Sequence, residues 1–105
     1  MKPGDIFIGN ITHKIFVVLT PNEWNKQKEK IEERGEEFYS WDKRPEGYIP
    51  ARELGTDNYV PKNHTGIEVI KEPRKLLEDS LDSKVKADLR RILDKTPSLD
   101  AFFEN

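Results

Sequence analysis

An unbroken apolar run at residues 15–19 (IFVVL) is the feature that most constrains how this chain folds. β-Branched and aromatic residues dominate the run, so it favours a strand, and its lack of alternation predicts a strand buried on both faces. A shorter run at residues 6–8 (IFI) ends at a Gly-Asn pair and predicts a neighbouring antiparallel strand. The longer run stops at Thr20, three residues before Glu23 as in a capping box, with Pro21 at the first helical position. The sequence therefore predicts two paired strands that lead directly into a helix.

The predicted helix runs over about 21–34, and Gly35 is suited to its C-terminal cap. Trp24 and Ile31 are its only apolar anchors at helical spacing, so the helix is expected to lie on the surface with those two side chains buried. After the helix, turn-forming residues separate short extended segments. The predicted order is a strand at 38–41, a turn at 44–47, a strand at 48–54, a loop at 55–66 and a short strand at 67–69.

Two helical segments are predicted near the C-terminus. The first begins at Pro73 and continues to Leu81, and the second begins at a cap formed by Asp82 or Ser83. A Thr-Pro pair at 96–97 ends the second helix. Its apolar stripe consists of Val85, Leu89, Ile92 and Leu93. The side chains expected to fold back onto the domain as an apolar latch are Leu99, Phe102 and Phe103.

These elements predict an α+β fold built on a small, strongly bent sheet or barrel, with a helix inserted after the second strand. A chain of 105 residues with 34% hydrophobic residues has material for one modest core. We therefore expect a single domain over 1–105, with the barrel at 1–70, the helical insert at about 21–34 and a helical tail at 73–105.

Composition narrows the range of functions. The formal net charge of −2 gives no basic field over the whole surface, so any attraction for nucleic acid must be local. The absence of cysteine excludes a disulfide framework, thiolate chemistry and cysteine-containing zinc sites. No segment has the length and apolar character of a signal peptide or a membrane span, so a cytoplasmic protein without a membrane partner is expected. The glycines stand singly and the histidines lack metal-ligand spacing, so neither a cofactor nor a metal is expected.

The histidines leave two interpretations open. His13 and His64 are the only two, and with Lys14 they have the residue types of an acid, a base and a phosphate anchor for RNA cleavage. Nothing in their spacing brings them together, and ordinary surface histidines would give the same pattern. The carboxylates come in runs, which solvated helix faces explain better than a catalytic pair does. No catalytic residue is assigned.

Aromatic and basic residues interleave between residues 41 and 64. On a barrel surface such a mixture stacks bases and holds phosphates, whereas core aromatics beside solubilising charges give the same order along the sequence. The interleaved residues are Trp41, Lys43, Arg44, Tyr48, Arg52, Tyr59, Lys62 and His64.

Two segments near the start of the chain, 2–6 (KPGDI) and 17–22 (VVLTPN), have a recognisable pattern. They resemble the first strands of the MazF/PemK-like toxin family. Further on, 63–69 (NHTGIEV) is similar to a late strand and 74–93 to the helical tail that follows it. The resemblance implies an SH3-like barrel, often a homodimer, that cleaves RNA at selected sequences and is bound by an antitoxin.

The sequence departs from this family at the catalytic residues. Lys14 and Ile15 stand where the family has an Arg-Pro pair, and residues 52–54 (REL) stand where its catalytic Ser or Thr is expected at the end of the central strand. A lysine keeps the positive charge but lacks the planar fork that grips a phosphate with two bonds. The resemblance therefore leaves two expectations open: an endoribonuclease, or an inactive relative that binds RNA without cutting it.

Two functional hypotheses follow. The first is a MazF/PemK-like barrel directed at RNA, an RNA-binding or RNA-cleaving relative of the toxins of toxin–antitoxin systems. Its candidate nucleic-acid contacts are His13, Lys14, Lys43, Arg44, Arg52 and His64. The second is a non-catalytic protein-interaction module, an inhibitor or adaptor of phage or bacterial origin with an antitoxin-like or host protein as partner. Its binding face would be the aromatic-rich region 38–61, because Tyr, Trp and Arg dominate such contacts.

Overall fold

The computed structural model describes residues 1–78 and 82–95, which form a small α+β domain. The strands are β1 (Ile6–Gly9), β2 (Ile15–Val18), β3 (Tyr48–Glu53), β4 (Tyr59–Asn63) and β5 (Ile67–Val69). The α-helices are α1 (Pro21–Asn25), α2 (Lys28–Glu33) and α3 (Ser83–Lys95). Short 3-10 helices lie at Trp41–Lys43 and Pro73–Glu78.

One antiparallel sheet holds the described strands in the order β4-β3-β2-β1-β5. In a flat sheet of this order the two edge strands would lie about 19 Å apart, since neighbouring strands are about 4.8 Å apart. Only residues 64–66 connect β4 to β5, and four residue steps span at most about 14 Å. The sheet must therefore curl, and it forms a half-barrel whose edges approach each other.

β2 lies at the centre of the sheet and all four of its side chains are buried, which confirms the prediction from the unbroken apolar run. The register pairs Phe7 of β1 with Phe16 of β2, and their rings stack with centroids 5.3 Å apart. The buried cluster on this side, called the Phe16 face, consists of Phe7, Phe16, Val18, Ile49 and Ala51. The cluster on the other side, called the helix-covered face, consists of Ile6, Ile15, Val17, Leu19, Trp24, Ile31, Leu54 and Leu89.

α1 begins where the capping box predicted it. Glu23 N–H donates to Thr20 Oγ1 at 3.2 Å, and Thr20 N–H donates to Glu23 Oε1 at 3.2 Å. Pro21 occupies the first helical position, where its missing N–H has no partner to lose. The chain passes from β2 into α1 because these bonds satisfy backbone donors at the start of the helix. Trp24 and Ile31 are both fully buried, as predicted.

The single helix predicted over 21–34 is wrong, because the structure divides it into α1 and α2. The side-chain amide of Gln27 donates to Glu23 O at 3.2 Å, the acceptor that the backbone N–H of Gln27 would use in a continuous helix. That N–H donates to Trp24 O at 2.9 Å instead and tightens the turn. Gly35 follows α2 with a φ of +79°, the left-handed conformation expected of a helix-ending glycine.

The strand predicted at 38–41 is also wrong. Trp24 Nε1 donates to Tyr39 O at 2.8 Å, and Trp41 N–H donates to Asn25 Oδ1 at 3.0 Å. Side chains of α1 therefore take the backbone groups that a strand would offer to a neighbouring strand.

The loop predicted over 55–66 contains β4, so that prediction is wrong in its central part. Pro61 favours a turn in the sequence, but a proline is tolerated in an edge strand, where one side of the backbone needs no partner. Among the described strands β4 pairs with β3 alone, and Pro61 lies opposite Pro50. The predicted strands β3 and β5 and the turn before β3 are confirmed.

α3 is capped by Asp82, whose Oδ1 accepts a hydrogen bond from Lys84 N–H at 2.8 Å. Of the two predicted caps, Asp82 and Ser83, the structure therefore has Asp82. Leu89 of the predicted stripe is fully buried on the helix-covered face. The other stripe residues, which pack against the same cluster, are Val85, Ile92 and Leu93.

The helical segment predicted from Pro73 is a 3-10 helix over the described residues Pro73–Glu78. Its predicted continuation to Leu81 lies outside the described residues. The predicted helix stop at 96–97 also lies outside them, as does the latch of Leu99, Phe102 and Phe103.

Candidate functional site

A groove of about 600 Å³ opens where β2 ends and β3 begins. The end of β2, the start of β3, the 3-10 helix at Trp41–Lys43 and the residue after β4 all contribute to it. Its lining includes Val18, Trp41, Arg44, Tyr48, Ile49 and His64.

One wall of the groove is a stacked pair of an arginine and a tryptophan. The guanidinium carbon of Arg44 lies 4.0 Å from the centroid of the Trp41 ring, and Arg44 Nη1 donates to Trp41 O at 2.5 Å. Both side chains are half-buried. Cation–π attraction and the hydrogen bond together fix the guanidinium over the ring. This pair, called the Trp41–Arg44 platform, is held by contacts within the protein.

α1 contacts the backbone of the segment that carries the platform. Asn25 Oδ1 accepts the bond from Trp41 N–H, which fixes the backbone at the base of the platform. Trp24 donates to Tyr39 O and stacks on Phe38 with ring centroids 5.4 Å apart. The segment between α2 and β3 is therefore packed against α1, although it has no strand of its own.

His64 lines the groove next to the turn that precedes β3. Its backbone N–H donates to Gly47 O at 3.0 Å, and its side chain is exposed. The imidazole lies directly against Gly47, which has a φ of +85°. His64 and Arg44, both predicted as nucleic-acid contacts, are thus brought to one groove.

The charges around the groove are balanced. Asp42 and Glu46 line it together with Arg44 and His64, and Lys43 lies exposed on the adjoining 3-10 helix. The site therefore has no strong positive field, in keeping with the net charge of −2. A nucleic acid bound here would make few phosphate contacts, and stacking would supply most of the affinity.

Two tyrosines close to the groove stay protonated at neutral pH. Burial raises the pKa of the Tyr48 hydroxyl. The Tyr39 hydroxyl donates to the Glu37 carboxylate at 3.0 Å, and this bond, with the charge of the carboxylate, raises the pKa of Tyr39. Both phenols are therefore neutral hydrogen-bonding groups and add no negative charge to the site.

Two of the predicted nucleic-acid contacts lie away from the groove. Lys14 Nζ is 3.5 Å from Glu53 Oε1 in an ion pair where β2 begins and β3 ends. His13 is exposed in the turn between β1 and β2, where it has a φ of +58°. Neither lines the groove that holds His64, so the groove does not unite the two histidines and Lys14.

Arg52, also predicted as a nucleic-acid contact, joins β3 to α3. Its Nη1 and Nη2 donate to the two carboxylate oxygens of Asp88 at 2.5 and 2.9 Å, and Nη1 donates to Thr56 O at 3.0 Å. Asp88 is 4% exposed and also accepts from Gly55 N–H at 2.8 Å. Burial by itself raises the pKa of Asp88, but the bonds from Arg52 and Gly55 outweigh it and leave the pKa below its usual value. The bond to Asp88 raises the pKa of Arg52.

Sequence reasoning missed two residues that shape the groove. The sequence around Asn25 does not indicate its role, because its hydrogen-bond partner is a backbone group 16 residues away. Gly47 stands in a Pro-Glu-Gly turn, which indicated a change of direction but not a contact with His64.

Comparisons with known proteins give no match, so the groove is interpreted from its own geometry. No model of a protein family, no curated protein and no solved structure matches the chain. Within residues 1–78 and 82–95, no group of three or more His, Asp or Glu side chains is placed to hold a metal ion. None of the helices in the described part of the chain combines the length and apolar character needed to cross a membrane.

Proposed function

We propose that this chain binds single-stranded RNA, with an unpaired base stacked on the Trp41–Arg44 platform. One observation carries the proposal: the Arg44 guanidinium lies over the Trp41 ring, 4.0 Å from its centroid, in a groove that His64 also lines. Arginine planes and aromatic rings are the surfaces on which proteins stack unpaired bases of RNA. Each stacked base contributes about 1–3 kcal/mol to binding.

The size and charge of the groove favour a single strand over a duplex. A volume of about 600 Å³ is that of a small-molecule site, so it suits one or two nucleotides and not a double helix. Arg44 offers a planar fork to a phosphate, and Lys43 adds a second cation beside the groove. Asp42 and Glu46 offset these charges, so stacking supplies more of the affinity than phosphate binding does.

We also propose that the domain is a MazF/PemK-like barrel. The paired opening strands, the helix that follows β2 and the return of β5 to pair with β1 support an SH3-like barrel. The catalytic residues of that family do not carry over, because Lys14 and Ile15 replace its Arg-Pro pair and residues 52–54 (REL) stand where its catalytic Ser or Thr is expected. The proposed role is therefore RNA binding, and endoribonuclease activity remains a prediction without assigned residues.

Fluorescence anisotropy with labelled RNA of mixed sequence, about 10 nucleotides long, tests the proposal. The single strand should bind more tightly than a duplex of the same length. Arg44→Ala removes the guanidinium plane of the platform and Trp41→Ala removes the ring that holds it, so each should weaken binding about 10-fold or more. Arg90→Ala is the matched control: it removes the same charge from an exposed position on α3 and should bind as the wild type does.

Two results would contradict the proposal: no binding of the RNA pool, or equal affinities for wild type and Arg44→Ala. Gel analysis of the same mixtures shows whether the RNA is cut. Discrete fragments would extend the proposal to an endoribonuclease, and intact RNA at high protein excess would limit it to binding.

The exposed apolar side chains favour a second candidate, the protein-interaction module. Ile11 at the tip of the β1–β2 turn is 88% exposed, and Val69 on the edge strand β5 is 45% exposed. An edge strand with exposed apolar side chains is suited to docking an antitoxin-like or host protein. Within the predicted face at 38–61, Tyr48 packs edge-on against Trp24, whereas Trp41 and Arg44 line the open groove. Recovery of a stoichiometric protein from a lysate would favour this candidate, and nuclease-sensitive nucleic acid would favour the first.

A further inference from the structure

Gly47 is in direct contact with the imidazole of His64. A Cβ atom at Gly47 would lie 2.3 Å from His64 Nδ1 and 2.8 Å from its Cε1. Real Cβ atoms essentially never approach another atom closer than 3.0 Å. The imidazole therefore occupies the space that any side chain at this position would need.

The backbone holds the two residues in register. His64 N–H donates to Gly47 O at 3.0 Å, beside the Tyr48–Asn63 pair that begins the ladder between β3 and β4. Because the Nδ1–Cε1 edge of the ring faces Gly47, Nε2 lies on the far side of that contact. The ring thus contacts Gly47 through its Nδ1–Cε1 edge, and Nε2 is the nitrogen away from this contact.

We infer that Gly47 is a positioning residue for His64, and that the imidazole placed in this way contacts the sugar–phosphate of the nucleotide whose base stacks on the Trp41–Arg44 platform. The inference rests on the proposed RNA binding and deepens it. Stacking on the platform tolerates any base sequence, whereas a hydrogen bond from the imidazole beside Gly47 selects the position of the sugar–phosphate backbone. His64 therefore supplies the second polar contact of the groove, and Gly47 determines where that contact lies.

Backbone conformation alone does not account for Gly47. Its φ of +85° favours glycine, but Gly35 and Gly66 have similar values of +79° and +88°, and nothing lies within 4 Å of a Cβ atom built on either. Alanine at any of the three imposes similar backbone strain. Only at Gly47 does it also displace a histidine. Gly35→Ala is therefore a matched control, since Gly35 follows α2 and does not line the groove.

The affinity test is a double-mutant cycle measured by anisotropy with the RNA pool described above. His64→Ala should weaken binding about 10-fold or more, as expected for the loss of one hydrogen bond to a charged group. Gly47→Ala should weaken it by a similar factor, and Gly35→Ala should leave it unchanged. In the His64→Ala background, Gly47→Ala should cause no further loss, because the residue through which it acts is gone.

A second measurement needs no RNA. His13 and His64 are the only histidines, so the ring Cε1–H signals of both can be followed by NMR in the free protein. Gly47→Ala should shift the His64 signal and leave His13 in place, and Gly35→Ala should shift neither. Because His64 is exposed, its ring can move away from a Cβ atom at Gly47, so Gly47→Ala should fold with a stability close to that of Gly35→Ala.

The outcomes separate this inference from the proposed function. Wild-type protein that does not bind RNA would overturn both. RNA binding by the wild type with unchanged affinity in folded Gly47→Ala would overturn the inference alone. Losses that add in the double variant, or a His64 signal that Gly47→Ala does not move, would overturn it as well.

Discussion

Replacing Asp88 with asparagine removes the charge from the contact that fastens α3 to β3. The side chain of Asp88 is 5% exposed and that of Arg52 is 16% exposed, so the variant leaves a largely buried guanidinium without its counter-ion. Removing one partner of a buried ion pair costs about 3–5 kcal/mol. Asparagine keeps a carbonyl oxygen that accepts from Gly55 or Arg52, so we expect a loss at the low end of this range, about 3 kcal/mol.

Urea unfolding at neutral pH, followed by tryptophan fluorescence, measures this loss. In a domain of this size about 3 kcal/mol corresponds to a fall in Tm of about 12 °C or more. Asp94→Asn is the control, because Asp94 is an exposed carboxylate on the same helix and its replacement should change stability by less than about 0.5 kcal/mol.

The pH dependence follows from the lowered pKa of Asp88. The aspartates of the unfolded chain take up protons at about pH 3.9, and the folded protein keeps Asp88 ionised to a lower pH. The stabilisation is therefore complete above the unfolded pKa and is lost as the pH falls through the folded pKa. The difference in free energy of unfolding between wild type and Asp88→Asn should stay constant from about pH 8 to 5 and decrease below about pH 4. Equal stabilities at neutral pH, or a gap that does not shrink in acid, would refute this reasoning.

Three other outcomes are expected. Thr20→Ala removes the capping box and should cost about 1 kcal/mol in urea unfolding; a loss no greater than that of Asn22→Ala, an exposed neighbour, would count against it. Trp24→Ala should lower the free energy of unfolding by about 3–5 kcal/mol because the side chain is fully buried, and Trp24→Phe should lower it by less. Equal losses in the two variants would show that an aromatic ring at this position contributes little to stability. RNA affinity should depend weakly on salt, with a log–log slope of about −1.4 for two phosphate contacts, and a slope steeper than about −4 would contradict binding dominated by stacking.

Local chemistry determines the parts of the fold that could be predicted. The apolar run of β2, the Thr20–Glu23 capping box and the buried anchors Trp24 and Ile31 each depend on residues within a few positions of one another. The patterns that failed were overridden by particular side chains. Gln27 took a helical acceptor through its amide, and α1 side chains bonded the backbone of the segment predicted as a strand.

The candidate site was predictable in composition but not in arrangement. Arg44 and His64 belong to a mixture of cations and aromatics that the sequence displays, and the structure brings both to one groove. Arg52 belongs to the same mixture, yet neighbouring side chains of a strand point to opposite faces, and it faces an aspartate 36 residues away. The Gly47–His64 contact joins two turns across the β3–β4 ladder, so it too leaves no mark along the sequence.

An NMR titration of the two tryptophan side chains with single-stranded RNA tests the central claim most directly. Trp24 and Trp41 are the only tryptophans, so their indole N–H signals report separately on the buried core and on the groove. The proposed function predicts that the Trp41 signal shifts progressively with added RNA while the Trp24 signal changes little. A Trp41 signal that stays fixed at saturating RNA would contradict it.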